Sequence, residues 1–283
     1  MLIGIVSGIS AGVGIWICAA TGAFAGFGWL LLLPLCFAGS FLVLAALWFV
    51  TMLIMAKAVD MDKPQEKDDP FYRYFLRLTI DALVTVLQIT IQTEGVENIP
   101  KDGRFLLVCN HLHDTDPVVL MWAFRNSQLA FISKREVSKM FIVGPFLHKI
   151  LGQPINREND REALKTILNC IRIIEEDKAS VAVFPEGYVS KEHQLHPFRS
   201  GVFKIAQKAG VPIVVCTLRN THHIYKNMPK LKPTEVHLHL VGVIPAEEIK
   251  GITAVEVGHR AYEMMAQDLG PELVLPIEQE ENT

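Results

Sequence analysis

The stretch Phe105-Leu106-Leu107-Val108-Cys109-Asn110-His111-Leu112-His113-Asp114-Thr115-Asp116-Pro117 runs five apolar residues directly into a polar loop that a proline closes. A short apolar run bounded by turn residues reads as a strand, and proline is at home in the first turn of a helix. Strand, loop and helix in succession is the unit of an α/β domain, whose chemistry sits in loops at the carboxyl ends of strands. The loop Asn110 to Asp116 is therefore the first candidate site.

Outward from this stretch the same alternation continues. Strands are expected near Ile91–Glu94, Phe105–Cys109, Ala130–Ser133, Val181–Phe184, Ile213–Leu218 and Val236–Val243. Helices are expected near Pro117–Arg125, Arg161–Glu176, Ser200–Lys208 and Ala254–Leu269. The fold class is α/β, with a mixed, largely parallel sheet flanked by helices. No internal repeat or low-complexity tract interrupts it. The tail Glu278–Thr283 is acidic and expected to be loose.

The beginning of the chain has a different character. No charged side chain occurs before Lys57, and about 20 apolar residues of helix cross a hydrocarbon layer about 30 Å thick. Residues 1–56 therefore read as a two-helix membrane anchor, Leu2–Ala20 and Trp29–Met55, broken at Gly22, Gly26 and Gly28. Gly4, Gly8 and Gly12 recur every fourth residue and offer a face on which a second helix could pack closely. A basic start and an early polar boundary, the marks of a cleaved signal peptide, are missing. Residues 57–70 form a charged linker, and the remaining domain is 71–283. Its first segment, Phe71–Ile89, is an amphipathic helix suited either to the headgroup layer or to the domain core. Lys57, Lys63, Lys67, Arg73 and Arg77 all follow the second helix, which places the domain on the cytoplasmic side of the cell membrane. A formal net charge of −3 gives no case for nucleic acid. The five cysteines have no paired spacing and read as buried thiols.

Three clusters carry chemistry. His111 and Asp116 flank four residues, so a chain that turns into a helix at Pro117 can fold the carboxylate back onto the imidazole, fixing its tautomer and stabilising its protonated form. Asp116 could equally serve as the cap of that helix. A metal site built from His111, His113, Asp114 and Asp116 is a third reading. It fits poorly, because Thr115 and Asp116 stand where binuclear zinc hydrolases place aspartate and histidine. His222-His223 and the pair His237 and His239 could complete such a site, although the second pair alternates along one exposed strand face. The next cluster, Phe184-Pro185-Glu186-Gly187, again follows a strand, and its carboxylate could accept from a substrate hydroxyl or hold a cation. The last comprises Gly152-Gln153-Pro154-Ile155-Asn156-Arg157 with Lys134 and Arg135; the planar fork of an arginine suits phosphate oxygens.

In this order, behind a lipid anchor, these segments resemble the glycerolipid acyltransferase family, most closely its bacterial 1-acyl-glycerol-3-phosphate acyltransferases. The resemblance runs from about Leu76 to the end. It implies that His111 is the general base and Asp116 its orienting partner, that Arg157 contacts the acceptor phosphate with Lys134 assisting, and that Phe184, Pro185, Glu186 and Gly187 line the substrate site. Val211-Pro212-Ile213-Val214 resembles a fourth motif placed near the acyl group. Tyr188 and Val189 stand where the family often has threonine and arginine, so Lys191, Arg199 or Lys134 is expected to supply the missing phosphate contact. The implied reaction acylates the free hydroxyl of a membrane lipid with an acyl-CoA or acyl carrier protein thioester as co-substrate, and needs no metal or other cofactor. Glycerol 3-phosphate or another lysophospholipid as acceptor, an acyl phosphate as donor, a metal-dependent hydrolase and a non-catalytic lipid-binding protein are the alternatives.

Overall fold

A computed structural model of the protein describes residues 1–275, and the acidic tail lies outside the described residues. Helix α1 (Leu2–Ala20) and helix α2 (Trp29–Lys57) form an antiparallel hairpin. Both are long and apolar enough to cross a membrane. The hairpin closes on a stripe other than the one the glycine spacing suggests. A Cβ on Gly4, Gly8 or Gly12 would meet nothing within 4 Å, whereas one on Gly14 would lie 3.0 Å from Leu33 Cδ1 and 3.3 Å from the Leu33 carbonyl oxygen. The buried residues of α1 are Ser10, Gly14 and Cys18, also every fourth residue but on another side of the helix. Small residues determine where backbones can approach, and of two such stripes only one faces α2. Replacing Gly14 with valine is accordingly expected to force the hairpin apart and lower the melting midpoint in detergent, at a cost of about 1–3 kcal/mol for overpacking; Gly8→Val in the same assay should change little.

The anchor is docked onto the domain through the end of α2. Met52, Met55 and Ala56 are buried against Phe146, with Trp48, Tyr72 and Phe75 around them. Trp48 stacks on Phe75 with centroids 5.0 Å apart, and the Tyr72 hydroxyl donates to the Met55 carbonyl at 2.9 Å. Tyr72 and Phe75 belong to α3 (Pro70–Val86), which Asp69 caps by accepting from the backbone of Phe71 and Tyr72. This helix meets the second of the two expectations for the amphipathic segment, packing on the domain core. Leu78, Ile80 and Val84 are buried in the domain, while Phe71 and Tyr74 are exposed. The linker is likewise more than a tether, since Arg73 pairs with Asp68 through contacts of 2.6–2.9 Å in a largely buried position.

The domain is built on a seven-stranded sheet: β1 (Ile89–Glu94), β2 (Leu106–Cys109), β3 (Leu129–Lys134), β4 (Gln153–Ile155), β5 (Ser180–Val183), β6 (Ile213–Arg219) and β7 (Thr234–Ile244). Their order is β1-β7-β6-β2-β5-β3-β4. Every neighbouring pair is parallel except β6 with β7. The sheet is thus mixed and largely parallel, and the five strands from β6 to β4 all present their carboxyl ends along one edge.

Helices cover both faces, as the nearly continuous apolar sequence of β2, β5 and β6 demands. One layer gathers α7 (Asp160–Glu175), α8 (Lys204–Ala209) and α10 (Ala254–Leu269) around Phe203, Leu106, Val181 and Ile213. The other packs α3 and α4 (Asp116–Ala123) over Phe105, Leu107, Val214 and Leu238. Short helices α5 (Arg135–Ser138) and α6 (Val143–Lys149) join β3 to β4, and α9 (Ile224–Asn227) lies between β6 and β7. Along β7, His237 is exposed as the alternation predicts, but His239 is held 2.6 Å from Asp268 of α10 and ties that helix to the sheet. All five cysteines are free, and only Cys36 is less than fully buried.

Candidate active site

The carboxyl edge brings together the segments that follow β2, β5, β3 and β4. At its centre, where β2 ends, the Asn110 side chain continues the strand pairing. Its amide donates to the Leu218 carbonyl at 3.0 Å and its oxygen accepts from the Leu218 N–H at 2.7 Å. This side-chain bridge to β6 fixes the point at which the chain leaves the sheet. Nothing in the sequence predicts this role for Asn110 beyond its place as a polar residue directly after an apolar strand.

The turn that follows brings Asp116 back to His111. Asp116 Oδ2 lies 2.8 Å from His111 Nδ1 and accepts the backbone N–H groups of Leu112 and His113 at 2.7 and 2.8 Å. The residue is 0% exposed. It opens α4, yet its carboxylate caps none of that helix's own N–H groups. All three bonds point back at the loop, so the helix-cap alternative gives way to an orienting carboxylate. An ionised acceptor at Nδ1 makes that nitrogen the protonated one and leaves the Nε2 lone pair free to accept a proton.

The segment after β5 supports the imidazole from below. Phe184 lies under the His111 ring, with centroids 4.0 Å apart and planes at 13°. Glu186 is buried, and its two oxygens accept from the backbone N–H groups of His111 at 2.6 Å and His196 at 2.9 Å. That arrangement corrects the expectation that Glu186 faces a substrate hydroxyl or a cation: both oxygens are occupied by main-chain donors, and the side chain joins two loops. Burial pushes its pKa up to about 8, against the lowering effect of the two N–H donors. Native Glu186 therefore retains a proton that the unfolded chain loses above about pH 4.5. The folded state is favoured below that pH, and the contribution is lost as pH rises toward 8. Melting midpoints in detergent should fall by several degrees between pH 5 and pH 8, and Glu186→Gln should flatten that slope.

Pro185 accepts the Arg199 N–H through its carbonyl at 2.9 Å. Gly187 has φ +87°, the left-handed region, and a Cβ there would sit 3.0 Å from Arg199 Nε, 3.1 Å from its Cδ and 3.8 Å from Arg157 Cζ. Two guanidinium groups thus flank one glycine, and neither has a carboxylate in ion-pair contact among the described residues. Burial, and next the charge of Arg199, lower the Arg157 pKa, with Glu136 opposing. Like charges brought together without a counter-charge form a site for an anion. Of the three residues expected to replace the missing phosphate contact, Arg199 is the one that stands against Gly187. Lys134 is exposed at the end of β3, in register with Ile155. Lys191 is exposed on the loop beyond.

The rings that a metal reading would require point apart. His113 Nδ1 is 2.9 Å from Thr115 Oγ1 and its ring meets Tyr225 edge-on, while His111 faces Phe184. His222 stacks between His193 and His223 rather than toward Asp116. No group of three or more histidine, cysteine or acidic side chains converges as metal ligands among the described residues.

The edge thus carries an imidazole held by a carboxylate and, at Gly187, two guanidinium groups without an ion-pair carboxylate among the described residues. A family model described as Acyltransferase matches residues 90–219, which run from the start of β1 to the end of β6. The 1-acyl-sn-glycerol-3-phosphate acyltransferase of Chlamydomonas reinhardtii is 30% identical over 242 residues, covering 84% of this chain and 69% of the relative. That of Cocos nucifera is 29% identical over 184 residues, 64% of this chain and 59% of the relative. That of Borreliella burgdorferi is 26% identical over 166 residues, 58% and 66%. This chain therefore spans less than two thirds of the coconut protein. The crystal structure of PlsC, the 1-acyl-sn-glycerophosphate acyltransferase from Thermotoga maritima, shares the fold, with a TM-score of 0.60 at 22% identity over 79% of this chain and 87% of that one. The chain belongs to the 1-acyl-sn-glycerol-3-phosphate acyltransferase family.

Proposed function

We propose that the protein transfers a fatty-acyl group from a thioester to the free hydroxyl of 1-acyl-glycerol 3-phosphate, giving phosphatidic acid. The observation that carries this reading is that one sheet edge brings together His111, held at Nδ1 by Asp116, and two arginines at Gly187 that have no ion-pair carboxylate among the described residues. Phosphate held by Arg157 and Arg199 positions the glycerol hydroxyl against His111, which removes most of the entropic cost of the encounter.

In the proposed step, His111 Nε2 takes the hydroxyl proton as that oxygen forms its bond to the thioester carbonyl carbon. The tetrahedral intermediate collapses by breaking the carbon–sulfur bond, and the imidazolium returns the proton to the departing thiolate. Asp116 stabilises the transient positive charge. The donor is acyl-CoA or the thioester of an acyl carrier protein. The hairpin holds the domain at the membrane where acceptor and product reside, and exposed Lys57 at the end of α2, with Lys63 and Lys67 beyond it, favours the cytoplasmic side.

The test is transfer from labelled acyl-CoA and acyl carrier protein thioesters by the reconstituted native chain. Acceptors would be 1-acyl-glycerol 3-phosphate, glycerol 3-phosphate and lysolipids whose phosphate is a diester. Preference for the first, with at least one donor, is expected. Faster use of glycerol 3-phosphate would overturn the acceptor assignment, and no transfer to any acceptor would leave a lipid-binding role.

A further inference from the structure

A rigid apolar loop lies where α2 leaves its apolar stretch. In the connection between α5 and α6, Phe141 is 68% and Met140 51% exposed, and Val143, which opens α6, is also exposed. Large apolar side chains clustered at one exposed loop mark a contact surface. The loop is not slack, because Met140 N–H donates to the Val137 carbonyl at 3.1 Å and Gly144 N–H to the Met140 carbonyl at 2.9 Å. Behind it, Ile142 packs on the cluster that joins Phe146 to Met52, Met55 and Ala56. The loop is therefore fixed to the end of the anchor helix, and its two outermost side chains stay exposed among the described residues.

The level of that end relative to a bilayer can be read from α2 itself. The face of α2 that does not dock on the domain stays apolar through Ile54, which is 65% exposed, and the first charged residue is Lys57. A helix presenting isoleucine at this height is still in hydrocarbon or at its boundary, and lysine one turn later carries its charge into the headgroups. Met140 and Phe141 share one hollow with Ala56, Lys57, Val59 and Met61, so they stand at the same height. Lys139 precedes them, exposed and without a carboxylate partner among the described residues.

We infer that the Met140-Phe141 tip inserts into the bilayer at the boundary of headgroups and acyl chains, as a membrane contact separate from the hairpin. The occupant of this surface is lipid, because the loop continues the apolar flank of a helix already suited to the membrane and, like the end of that helix, sets a lysine beside its apolar side chains. The loop also joins the end of β3 to β4, whose ends carry Lys134 and Arg157. Insertion there would fix the tilt of the domain and bring the arginine side of the site to the headgroup layer. Only this last consequence rests on the proposed function.

The test uses the full chain in phosphatidylethanolamine and phosphatidylglycerol vesicles, with Cys36→Ser as background so that the remaining cysteines are buried. An environment-sensitive nitrobenzoxadiazole probe is attached at Phe141→Cys and, in a second sample, at Asp102→Cys in the exposed turn before β2. Blue-shifted emission and quenching by lipids spin-labelled near the headgroup are expected at position 141 only. A probe at 141 as wet and as unquenched as that at 102 would overturn the inference. Because the readout is depth, it stands apart from whether the protein transfers acyl groups. Phe141→Asp adds a kinetic arm: several-fold slower use of a bilayer-embedded acceptor, with unchanged use of a short-chain acceptor free in solution, is expected. Equal loss on both acceptors would count against a membrane role for the loop.

Discussion

His111→Ala is expected to lower acyl transfer by roughly 10²–10⁴-fold, the usual contribution of a positioned general base, while leaving the fold and phosphate binding intact. The structure explains why so large an effect should come without unfolding. The imidazole lies on Phe184 and contributes one side-chain bond, to Asp116, whereas the loop is held by main-chain groups: His111 N–H to Glu186 and Ser190 N–H to the His111 carbonyl. Those bonds survive truncation to alanine. Asp116 is a different case. Its Oδ2 also receives the Leu112 and His113 N–H groups, so Asp116→Ala would leave the buried Leu112 donor unpaired at about 1–3 kcal/mol and the part-buried His113 donor unpaired at a smaller cost. Asp116→Asn is the informative change, since an amide oxygen can keep the loop bonds while the negative charge disappears. It should retain near-native melting behaviour and lose roughly 10²-fold or more in rate, because the imidazolium is no longer stabilised. Single-turnover rates and thermal melts on the same preparations check both variants. A His111→Ala protein that is folded and still transfers at a native rate would remove His111 from the mechanism.

Features of the site that rest on adjacent residues were legible in the sequence, and those that rest on distant ones were not. His111 and Asp116 lie close in the chain, so their spacing permits, beside a helix cap, the contact found at 2.8 Å. The direction of Glu186 could not be read that way. Its partners are His111 and His196, far apart in sequence and joined only by the sheet order. A carboxylate after a strand looks the same on paper whether it faces substrate or backbone. Arg199 is intermediate, because the family resemblance implies that a basic contact is missing after Gly187 but not which of three residues supplies it. The choice depends on the left-handed conformation of Gly187 and the open space it leaves.

The fold follows the same division. Helix α1 matches its expected bounds, Leu2–Ala20, and α10 its own, Ala254–Leu269, because long periodic or wholly apolar segments carry their own signal. Strand β4 was missed: three residues, one of them proline, are too few to show alternation, and it exists because β3 offers it an edge. Helices α5, α6 and α9, of four to seven residues, escaped for a similar reason. The glycine stripe of α1 shows the limit most clearly. Periodicity identifies a face that could pack, and only the partner helix decides between Gly4, Gly8 and Gly12 on one side and Ser10, Gly14 and Cys18 on the other.

The arginine pair carries the other large prediction. A charge-assisted hydrogen bond to phosphate is worth about 1.5–3 kcal/mol, or roughly 10- to 150-fold in affinity. Arg157→Gln and Arg199→Gln should each raise KM for 1-acyl-glycerol 3-phosphate by about that factor, with KM for the thioester unchanged. The two effects should not simply add. Burial, and next the charge of Arg199, lower the Arg157 pKa, so removing Arg199 relieves part of the cost of the Arg157 charge. Arg199→Lys should restore little, because a lysine offers a point charge where the site presents a planar fork. Gly187→Ala should act on the acceptor as Arg199→Gln does, since its Cβ would displace the Arg199 side chain from a backbone already held at φ +87°. The decisive comparison is selectivity. With both arginines present, a lysolipid whose phosphate is a diester should be a poor acceptor, and loss of either arginine should narrow the gap by slowing the phosphomonoester alone. If kcat falls equally on every acceptor while KM stays fixed, the pair supports the loop rather than the phosphate, and the anion site must be sought at Lys134.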